Sequence, residues 1–253
     1  MPYDDLVATL RAAGCVFAED EATVLIEAAA DGADLAGLAA RRVAGEPLEL
    51  VVGYAEFCGL RIAVAPGVFV PRQRSSALVR AAAGDLTAGD VVVDLCCGTG
   101  ALGAALRAAV PGLEVYAADV DPDAVACARR NLPAERVFEG DLYDALPTGL
   151  RGRVTVLVVN APYVPTDGIA LMPPEARDHE HRVALDGGTD GLDVQRGVVA
   201  GAPGWLAPGG RLLIESSRAQ APHTAALMAA AGLATEITLD DEVDGTVVSG
   251  TRS

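Results

Sequence analysis

The stretch Val91-Val-Val-Asp-Leu-Cys-Cys-Gly-Thr-Gly100 decides the fold of this 253-residue chain. It begins as an apolar run typical of a buried strand, turns through glycines, and continues into the alanine-rich segment 101–109. A strand, a glycine-rich turn and a helix in this order form the first unit of sheets that bind nucleotide-type ligands. Gly98 and Gly100 are predicted to let a ligand approach the backbone, because glycine has no side chain.

Further apolar runs, bounded by Gly, Pro or Asp, follow this unit toward the C-terminus. They predict strands near 91–95, 114–119, 136–139, 154–159, 210–215, 234–239 and 246–251, with helices in most intervals. The last two strands are joined only by residues 240–245, which are too few for a helical crossover, so the final strand is expected to pair antiparallel. An α/β sheet of seven strands, one reversed near its end, resembles the Rossmann-like arrangement of class I S-adenosylmethionine-dependent methyltransferases.

The N-terminal part has a different pattern and indicates a separate small unit. Residues 4–44 carry apolar side chains at helical spacing, broken at Gly14 and Gly32, which predicts two or three short helices. Leu48 to Val52 and Leu60 to Val64 are predicted to be the two arms of a β-hairpin. The predicted division is therefore a small helical domain at 1–45, a hairpin linker at 46–70 and a catalytic domain at 71–253.

Composition and charge argue against several classes of protein. The formal net charge is −16 and all 19 basic residues are arginines, which argues against a nucleic-acid substrate, since such binding needs clustered basic side chains. No segment approaches the roughly 18 apolar residues of a membrane span, so a cytoplasmic protein without a membrane partner is expected. The five cysteines, without CxxC spacing, are predicted to be reduced thiols. The sequence indicates no oligomeric state.

The glycine turn leaves two cofactors open. Gly98, Gly100 and Gly103 satisfy the GxGxxG pattern of dinucleotide-binding folds. Asp94 favours S-adenosylmethionine instead, because a carboxylate ahead of the turn attracts a cationic methionyl end and is badly placed beside a pyrophosphate. Asp119, which ends the second strand, is expected to accept the ribose hydroxyls of either cofactor.

Two residues that follow the third predicted strand extend the cofactor site. Asp141 is placed to accept a hydrogen bond from an adenine amino group, and Leu142 is placed to cover the ring. The alternative is that Asp141 is only a turn aspartate, since aspartate favours turns.

The segment Asn160-Ala-Pro-Tyr163 follows the fourth predicted strand, and ligands of parallel sheets collect at the carboxyl ends of strands. An amide nitrogen is a poor nucleophile, so an enzyme has to align it with the methyl group. The side-chain oxygen of Asn160 and the carbonyl of Ala161 can accept its two hydrogens, and Tyr163 offers a ring face. The alternative is an ordinary turn with an asparagine cap.

A metal site is not predicted. His179 and His181 lie two residues apart in a proline-rich loop, without the third ligand and the spacing of a zinc site. Cys96 and Cys97 are interpreted as small packing residues, because no neighbour in sequence would lower a thiol pKa.

These positions together resemble the HemK/PrmC family of protein-glutamine N5-methyltransferases, which methylate the glutamine of the Gly-Gly-Gln motif in peptide release factors. The resemblance runs from about Gly45 to Arg252. Besides the motifs above it includes Gly45-Glu-Pro-Leu48, Gly53–Phe57, Val68–Arg72, Glu180, Ala184–Gly188, Asp190–Leu192 and Leu206–Glu215.

The resemblance implies an S-adenosyl-L-methionine cofactor, a protein substrate with an exposed glutamine and a recognition role for the N-terminal domain. It implies that Asn160 and the next backbone carbonyl hold the glutamine amide, and that Arg72 lies close to the cofactor. The predicted cofactor-binding residues are Arg72, Asp94, Cys96, Gly98, Gly100, Asp119, Val120, Asp141, Leu142 and Asn160. The predicted catalytic residues are Asn160, Pro162 and Tyr163, and the predicted substrate-binding residues are these three with Ala161.

The chain departs from the family pattern in three places. Ala161 stands where the family has proline, Gln73–Ser76 replaces a stretch that carries two acidic residues, and the N-terminal helical unit is short. Two other functions therefore stay open: methylation of an amine in a small molecule or nucleic acid, and cofactor binding without catalysis.

Overall fold

The computed structural model describes residues 1–30 and 32–253. The N-terminal unit contains the helices α1 (Tyr3–Ala12), α2 (Ala18–Ala30), α3 (Leu35–Val43) and α4 (Leu48–Val52). Their apolar faces form a cluster of their own around Leu6, Leu10 and Leu25, which are completely buried. The predicted short helices are present, and their separate apolar cluster is consistent with an N-terminal unit.

One arm of the predicted hairpin is wrong, because Leu48–Val52 is helical. Its apolar residues recur at helical spacing, so that Val51 packs into the N-terminal cluster, and Gly53 ends the helix in the left-handed region with φ 85°. The hairpin consists instead of β1 (Tyr54–Phe57) and β2 (Leu60–Ala63). Its two-residue turn has positive φ at Cys58 (49°) and Gly59 (76°), as tight hairpin turns require.

The main sheet has seven strands, in agreement with the predicted fold class. They are β3 (Val91–Leu95), β4 (Glu114–Asp119), β5 (Val137–Glu139), β6 (Val154–Val159), β7 (Leu206–Glu215), β8 (Leu233–Asp240) and β9 (Gly245–Arg252). The order across the sheet is β5-β4-β3-β6-β7-β9-β8. The strand β9 pairs antiparallel with both β7 and β8, as the short connection before it predicts.

Helices cover both faces of the sheet, because the central strands are buried on both sides. On one face, β3 and β6 pack with α5 (Ser76–Ala83), α6 (Ala101–Ala109) and α7 (Pro122–Asn131). On the other face they pack with α9 (Asp193–Trp205) and α10 (Ala221–Ala230). A short helix, α8 (Pro174–Arg177), lies in the loop between β6 and α9. Among the described residues, no helix is long and apolar enough to cross a membrane.

The sheet creates a ligand site where its strand order reverses. The chain runs from β3 outward to β4 and β5, and then returns to place β6 on the other side of β3. The loops after β3 and β6 consequently diverge and leave a crevice at the carboxyl ends of these strands.

Candidate active site

A cavity of about 440 Å³ opens at this crevice. Its wall includes most of the residues that the sequence predicts for cofactor and acceptor: Cys96, Gly98, Asp119, Val120, Asp141, Leu142, Asn160, Ala161, Pro162 and Tyr163. Apolar side chains that the sequence analysis did not assign to the site complete it, among them Phe57, Phe69, Met172, Val183, Leu185 and Val194. Arg72, Asp94 and Gly100 do not belong to this wall.

Asp94 lies behind the glycine turn and does not belong to the cavity wall, so its predicted contact with the cofactor stays a prediction. Its side chain is completely buried, and its Oδ2 accepts a hydrogen bond from the backbone N–H of Gly103, 2.8 Å away in the first turn of α6. Burial raises the pKa of this carboxyl to about 8. The Asp94 side chain therefore holds the start of α6 below the turn.

The two predicted turn glycines have different physical roles. A Cβ on Gly98 would meet nothing closer than Phe69, at 3.9 Å, so this position faces the cavity. A Cβ on Gly100 would lie 2.9 Å from Leu132 and 3.2 Å from Ala128. Gly100 thus allows α7 to pack against the turn, while Gly98 leaves room for a ligand.

Asp119 holds the glycine turn and still faces the cavity. Its Oδ2 accepts from the N–H of Gly98 at 2.8 Å, and its Oδ1 accepts from the N–H of Asp121 at 3.0 Å. Burial raises its pKa, although these backbone hydrogen bonds lower it in part. Each oxygen of a carboxylate has two lone pairs, so both can accept a further hydrogen bond from a pair of hydroxyls.

Asp141 and Leu142 form the far wall, after β5. Leu142 has a positive φ of 45° and starts a short 3₁₀ segment, Leu142–Ala145. This backbone conformation, unusual for leucine, places its side chain both on the cavity wall and against Gly197 of α9. The predicted partners of the adenine therefore lie on the cofactor side of the cavity.

The segment Asn160–Tyr163, called the acceptor motif, contacts the turn Gln73–Ser75. In the sequence, this turn stands out only as a departure from the family pattern. Nδ2 of Asn160 donates to Oγ of the buried Ser75 at 3.5 Å. Nη2 of Arg74 donates to the hydroxyl of Tyr163 at 2.7 Å. Nε of Arg74 donates to Oε1 of Glu215 at 3.1 Å, and Glu215 is only 2% exposed at the end of β7.

Two glycines of the later motifs support the backbone of the acceptor motif. A Cβ on Gly187 would lie 2.8 Å from the carbonyl oxygen of Pro162, and one on Gly191 would lie 2.3 Å from that of Tyr163. The carbonyl of Tyr163 also accepts from Nε2 of Gln220 at 3.0 Å. The Ala184–Gly188 and Asp190–Leu192 segments are thus the platform on which the acceptor motif rests.

Arg72 lies beside the cavity instead of in it. Its Nη2 donates to Oε1 of Glu180 at 2.6 Å, and its guanidinium lies 5.0 Å from the centre of the Phe69 ring. The backbone N–H of Val70 donates to the same carboxylate oxygen. Since Phe69 lines the cavity and Arg72 covers this ring, the predicted closeness of Arg72 to the site is indirect.

His181 has partners that sequence spacing did not indicate. Its Nδ1 lies 2.7 Å from Oδ2 of Asp121, and ligand-type atoms of His181, Asp121 and Asp123 all lie within 4.8 Å of one another. Asp121 also caps α7 by accepting from the N–H of Asp123. The hydrogen bond to His181 ties the loop before α9 to the cofactor-side wall, and the absence of a metal stays a prediction.

The two cysteines of the turn are suited to packing. Burial raises the pKa of both Cys96 and Cys97 well above the usual thiol value. Thiols with such pKa values are protonated and weakly nucleophilic at neutral pH. Cys96 has a positive φ of 58° and belongs to the cavity wall.

Comparison with known proteins decides the family. The methyltransferase small domain family matches residues 59–171. A release factor glutamine methyltransferase of Geobacter sulfurreducens is 38% identical over 211 residues, which cover 81% of this chain and 72% of the relative. The chain belongs to the release factor glutamine methyltransferase family. The resemblance recognised in the sequence motifs is confirmed.

Another protein similar to this chain is named for a different methyl acceptor. The 4-amino-L-phenylalanine/4-methylamino-L-phenylalanine methyltransferase of Streptomyces pristinaespiralis is 38% identical over 201 residues, which cover 76% of this chain and 68% of that protein. Among solved structures, a 16S rRNA N2 G1207 methyltransferase of T. thermophilus in complex with AdoMet and guanosine has a TM-score of 0.55 and 21% identity, over 79% of this chain and 50% of that chain. This likeness confirms the fold.

The protein is therefore an enzyme, a methyltransferase that uses S-adenosyl-L-methionine. The cavity fits such a cofactor, because its volume of about 440 Å³ lies within the range of about 300 to 1,000 Å³ typical of ligand sites. The open side of Gly98 and the remaining lone pairs of Asp119 fit it as well. When bound, the cofactor supplies a methyl group activated by a sulfonium.

Proposed function

We propose that this enzyme methylates the side-chain amide nitrogen, N5, of a glutamine in a protein, and that the protein is a peptide release factor in the cytosol. The observation that carries the proposal is the placement of Asn160 on the cavity wall, with its Nδ2 donating to Ser75. Its side-chain oxygen is then available to accept an N–H from an amide. The names of several relatives favour the same acceptor.

In this proposal the cofactor lies along the ends of β3, β4 and β5. Asp119 accepts the ribose hydroxyls, Asp141 and Leu142 contact the adenine, and Gly98 and Val120 line the intervening wall. Val120 is 50% exposed although it is apolar, which suits a side chain that a ligand covers.

The acceptor lies beside the end of β6. Asn160 and the carbonyl of Ala161 accept the two amide hydrogens and so aim the nitrogen lone pair at the methyl group. Pro162 and Tyr163 form the pocket around the amide. Ala161 is only 1% exposed and packs in the core, so the residue that replaces the family's proline is held by packing. No separate base is required before the methyl group is transferred.

A direct assay tests this function. Purified enzyme is incubated with a bacterial release factor and S-adenosylmethionine labelled in the methyl group, and the labelled peptide is identified by mass spectrometry. We expect one methyl group on the glutamine of the Gly-Gly-Gln motif and none on a release factor whose glutamine is replaced by glutamate. A release factor that stays unlabelled would contradict the proposal.

The relative from Streptomyces pristinaespiralis favours a second candidate, methylation of an aromatic amine in a small molecule. The same assay with 4-amino-L-phenylalanine as acceptor distinguishes the two. Faster methylation of this amine than of the release factor would favour the second candidate. A nucleic-acid acceptor has no comparable support, because the chain has a net charge of −16.

A further inference from the structure

The 3₁₀ turn Gln73–Ser75 contacts both polar side chains of the acceptor motif. Ser75 accepts from Nδ2 of Asn160 at 3.5 Å, and the neighbouring Arg74 donates to the hydroxyl of Tyr163 at 2.7 Å. Arg74, Ser75, Asn160 and Tyr163 all line the same cavity. One short segment therefore determines which hydrogen-bonding groups the acceptor motif offers to a ligand.

The hydroxyl of Tyr163 keeps its hydrogen free for donation. A guanidinium has N–H donors and no acceptor, so the phenol oxygen must accept from Arg74. Among the residues that the structure describes, no group accepts the hydroxyl hydrogen of Tyr163, and this hydrogen is available to a ligand. Asn160 offers an acceptor, since one N–H of its Nδ2 is donated to Ser75 and its side-chain oxygen has no partner among the described residues.

We propose that Arg74 is a positioning residue that commits Tyr163 to donate a hydrogen bond into the acceptor pocket. Tyr163 then offers one donor and Asn160 one acceptor, and together they match a primary carboxamide, which has a carbonyl oxygen beside its N–H groups. An amine without a carbonyl satisfies only the Asn160 side. This selectivity rests on the proposed glutamine acceptor.

Glu215 keeps Arg74 in place. Its buried carboxylate accepts from Nε of Arg74 at 3.1 Å, and its Oε2 has no hydrogen-bond partner among the described residues. Moving Arg74 away would leave a carboxylate that is 2% exposed without its cation, which is strongly unfavourable. The direction of the Arg74 donor is consequently fixed before any ligand binds.

This polarity is a property of the present chain. The corresponding position of the family pattern is acidic, and an ionised carboxylate can only accept from a tyrosine hydroxyl. Arg74 instead donates to this hydroxyl. The change that looked like a loss in the sequence adds a donor to the pocket.

The test compares Arg74→Met, Tyr163→Phe and the double variant, with a release factor as acceptor. Each single change removes the same hydrogen bond to the amide carbonyl, so each is expected to lower kcat/KM about tenfold, mainly through KM. The double variant should lose no more than either single variant, because the two residues act as one unit. Arg74→Lys keeps a group that only donates and should recover most of the activity.

Arg218→Met is the matched control, because Arg218 pairs with the exposed Asp241 at the surface. It should behave as the wild type. Arg74→Met is expected to lower the melting temperature, because it leaves the buried Glu215 without its cation, so retained cofactor affinity at the assay temperature shows that each variant is folded. Two results would overturn the inference: Arg74→Met with unchanged KM, or losses that multiply in the double variant. A wild-type enzyme that does not methylate the release factor would instead overturn the proposed function, and this inference with it.

Discussion

The two halves of the cavity are assembled over very different distances along the chain. On the cofactor side, Asp94 bonds to Gly103 and Gly98 to Asp119, pairs separated by 9 and 21 residues. On the acceptor side, Arg74 bonds to Tyr163 and Glu215, across 89 and 141 residues. The cofactor half is thus built by consecutive βα units, and the acceptor half by segments that only the complete fold brings together.

This difference suggests that the cofactor side is the part that related methyltransferases share, and that the acceptor side is the part that differs between them. Loops that follow adjacent parallel strands are held by the strands themselves, so a cofactor site of this kind tolerates many changes elsewhere. The acceptor side depends on the 73–75 turn and on the loop before α9, whose glycines contact the motif. Relatives with different acceptors, a release factor glutamine and an aromatic amine, are similar to this chain at the same 38% identity.

The largest expected effect is that of replacing Asn160, which should affect the acceptor half of the cavity and leave the cofactor half unchanged. Asn160→Ala should lower the rate of methyl transfer at least ~100-fold, since it removes an oriented contact to the reacting nitrogen. Cofactor affinity, measured by calorimetry, should stay close to that of the wild type. Equal losses in both measurements would show that the halves are not independent.

Asp119 provides the reciprocal test. Asp119→Ala should weaken cofactor binding by about 1 to 3 kcal/mol, because it removes charge-assisted hydrogen bonds. The rate at saturating cofactor should change much less than in Asn160→Ala. Unchanged cofactor affinity would place the ribose against another partner, and Asp119→Asn shows whether the charge or only the acceptor oxygen matters.

The two turn glycines sharpen the comparison within the cofactor half. Gly100→Ala should lower the free energy of unfolding by about 2 kcal/mol, because the new methyl group collides with α7 in a backbone region that disfavours alanine. Gly98→Ala has similar backbone strain but no close neighbour, so it should cost only about 1 kcal/mol and weaken cofactor binding instead. Urea unfolding and calorimetry of both variants measure this contrast, and equal stability losses would contradict it.

Asp94 is expected to cause a gradual effect, a dependence of stability on pH. Its folded-state pKa is about 8, and the unfolded value is about 3.9. The folded protein therefore binds more protons between these values, so the free energy of unfolding falls as the pH rises from about 4 to about 8. Without cofactor, Asp94→Asn should remove a slope of about 1 kcal/mol per pH unit. Parallel unfolding curves for the two proteins across pH 5 to 8 would contradict this role.

The sequence predicted the seven strands of the sheet and the reversed final strand, because strand periodicity and connection length are local properties. It also predicted that Asp119, Asp141 and Asn160 lie at or just after the ends of successive strands, as they do. The family followed from motifs in the same order along the chain. The boundaries of the three predicted domains remain a prediction, although α4 packs with the N-terminal helices.

Sequence reasoning failed where a contact depends on the surroundings. The apolar run Leu48–Val52 fits a strand or a helix equally well, and burial of Val51 among the N-terminal helices decided for the helix. Asp94 and Gly100 belong to the cofactor motif, yet they serve the packing of α6 and α7. Their spacing alone did not distinguish a ligand contact from a contact inside the protein.

The sequence by itself determined the sheet, the family and the row of polar residues at successive strand ends, because parallel strands align their carboxyl ends wherever the helices pack. Only the tertiary structure decided which partners orient the acceptor motif. In the sequence, Arg74 stands where the family pattern has an acidic residue. In the folded protein, its guanidinium donates a hydrogen bond to the hydroxyl of Tyr163. The physical reason is that whether a hydroxyl accepts or donates depends on its partner, and these two partners, 89 residues apart in sequence, come together only when the chain folds.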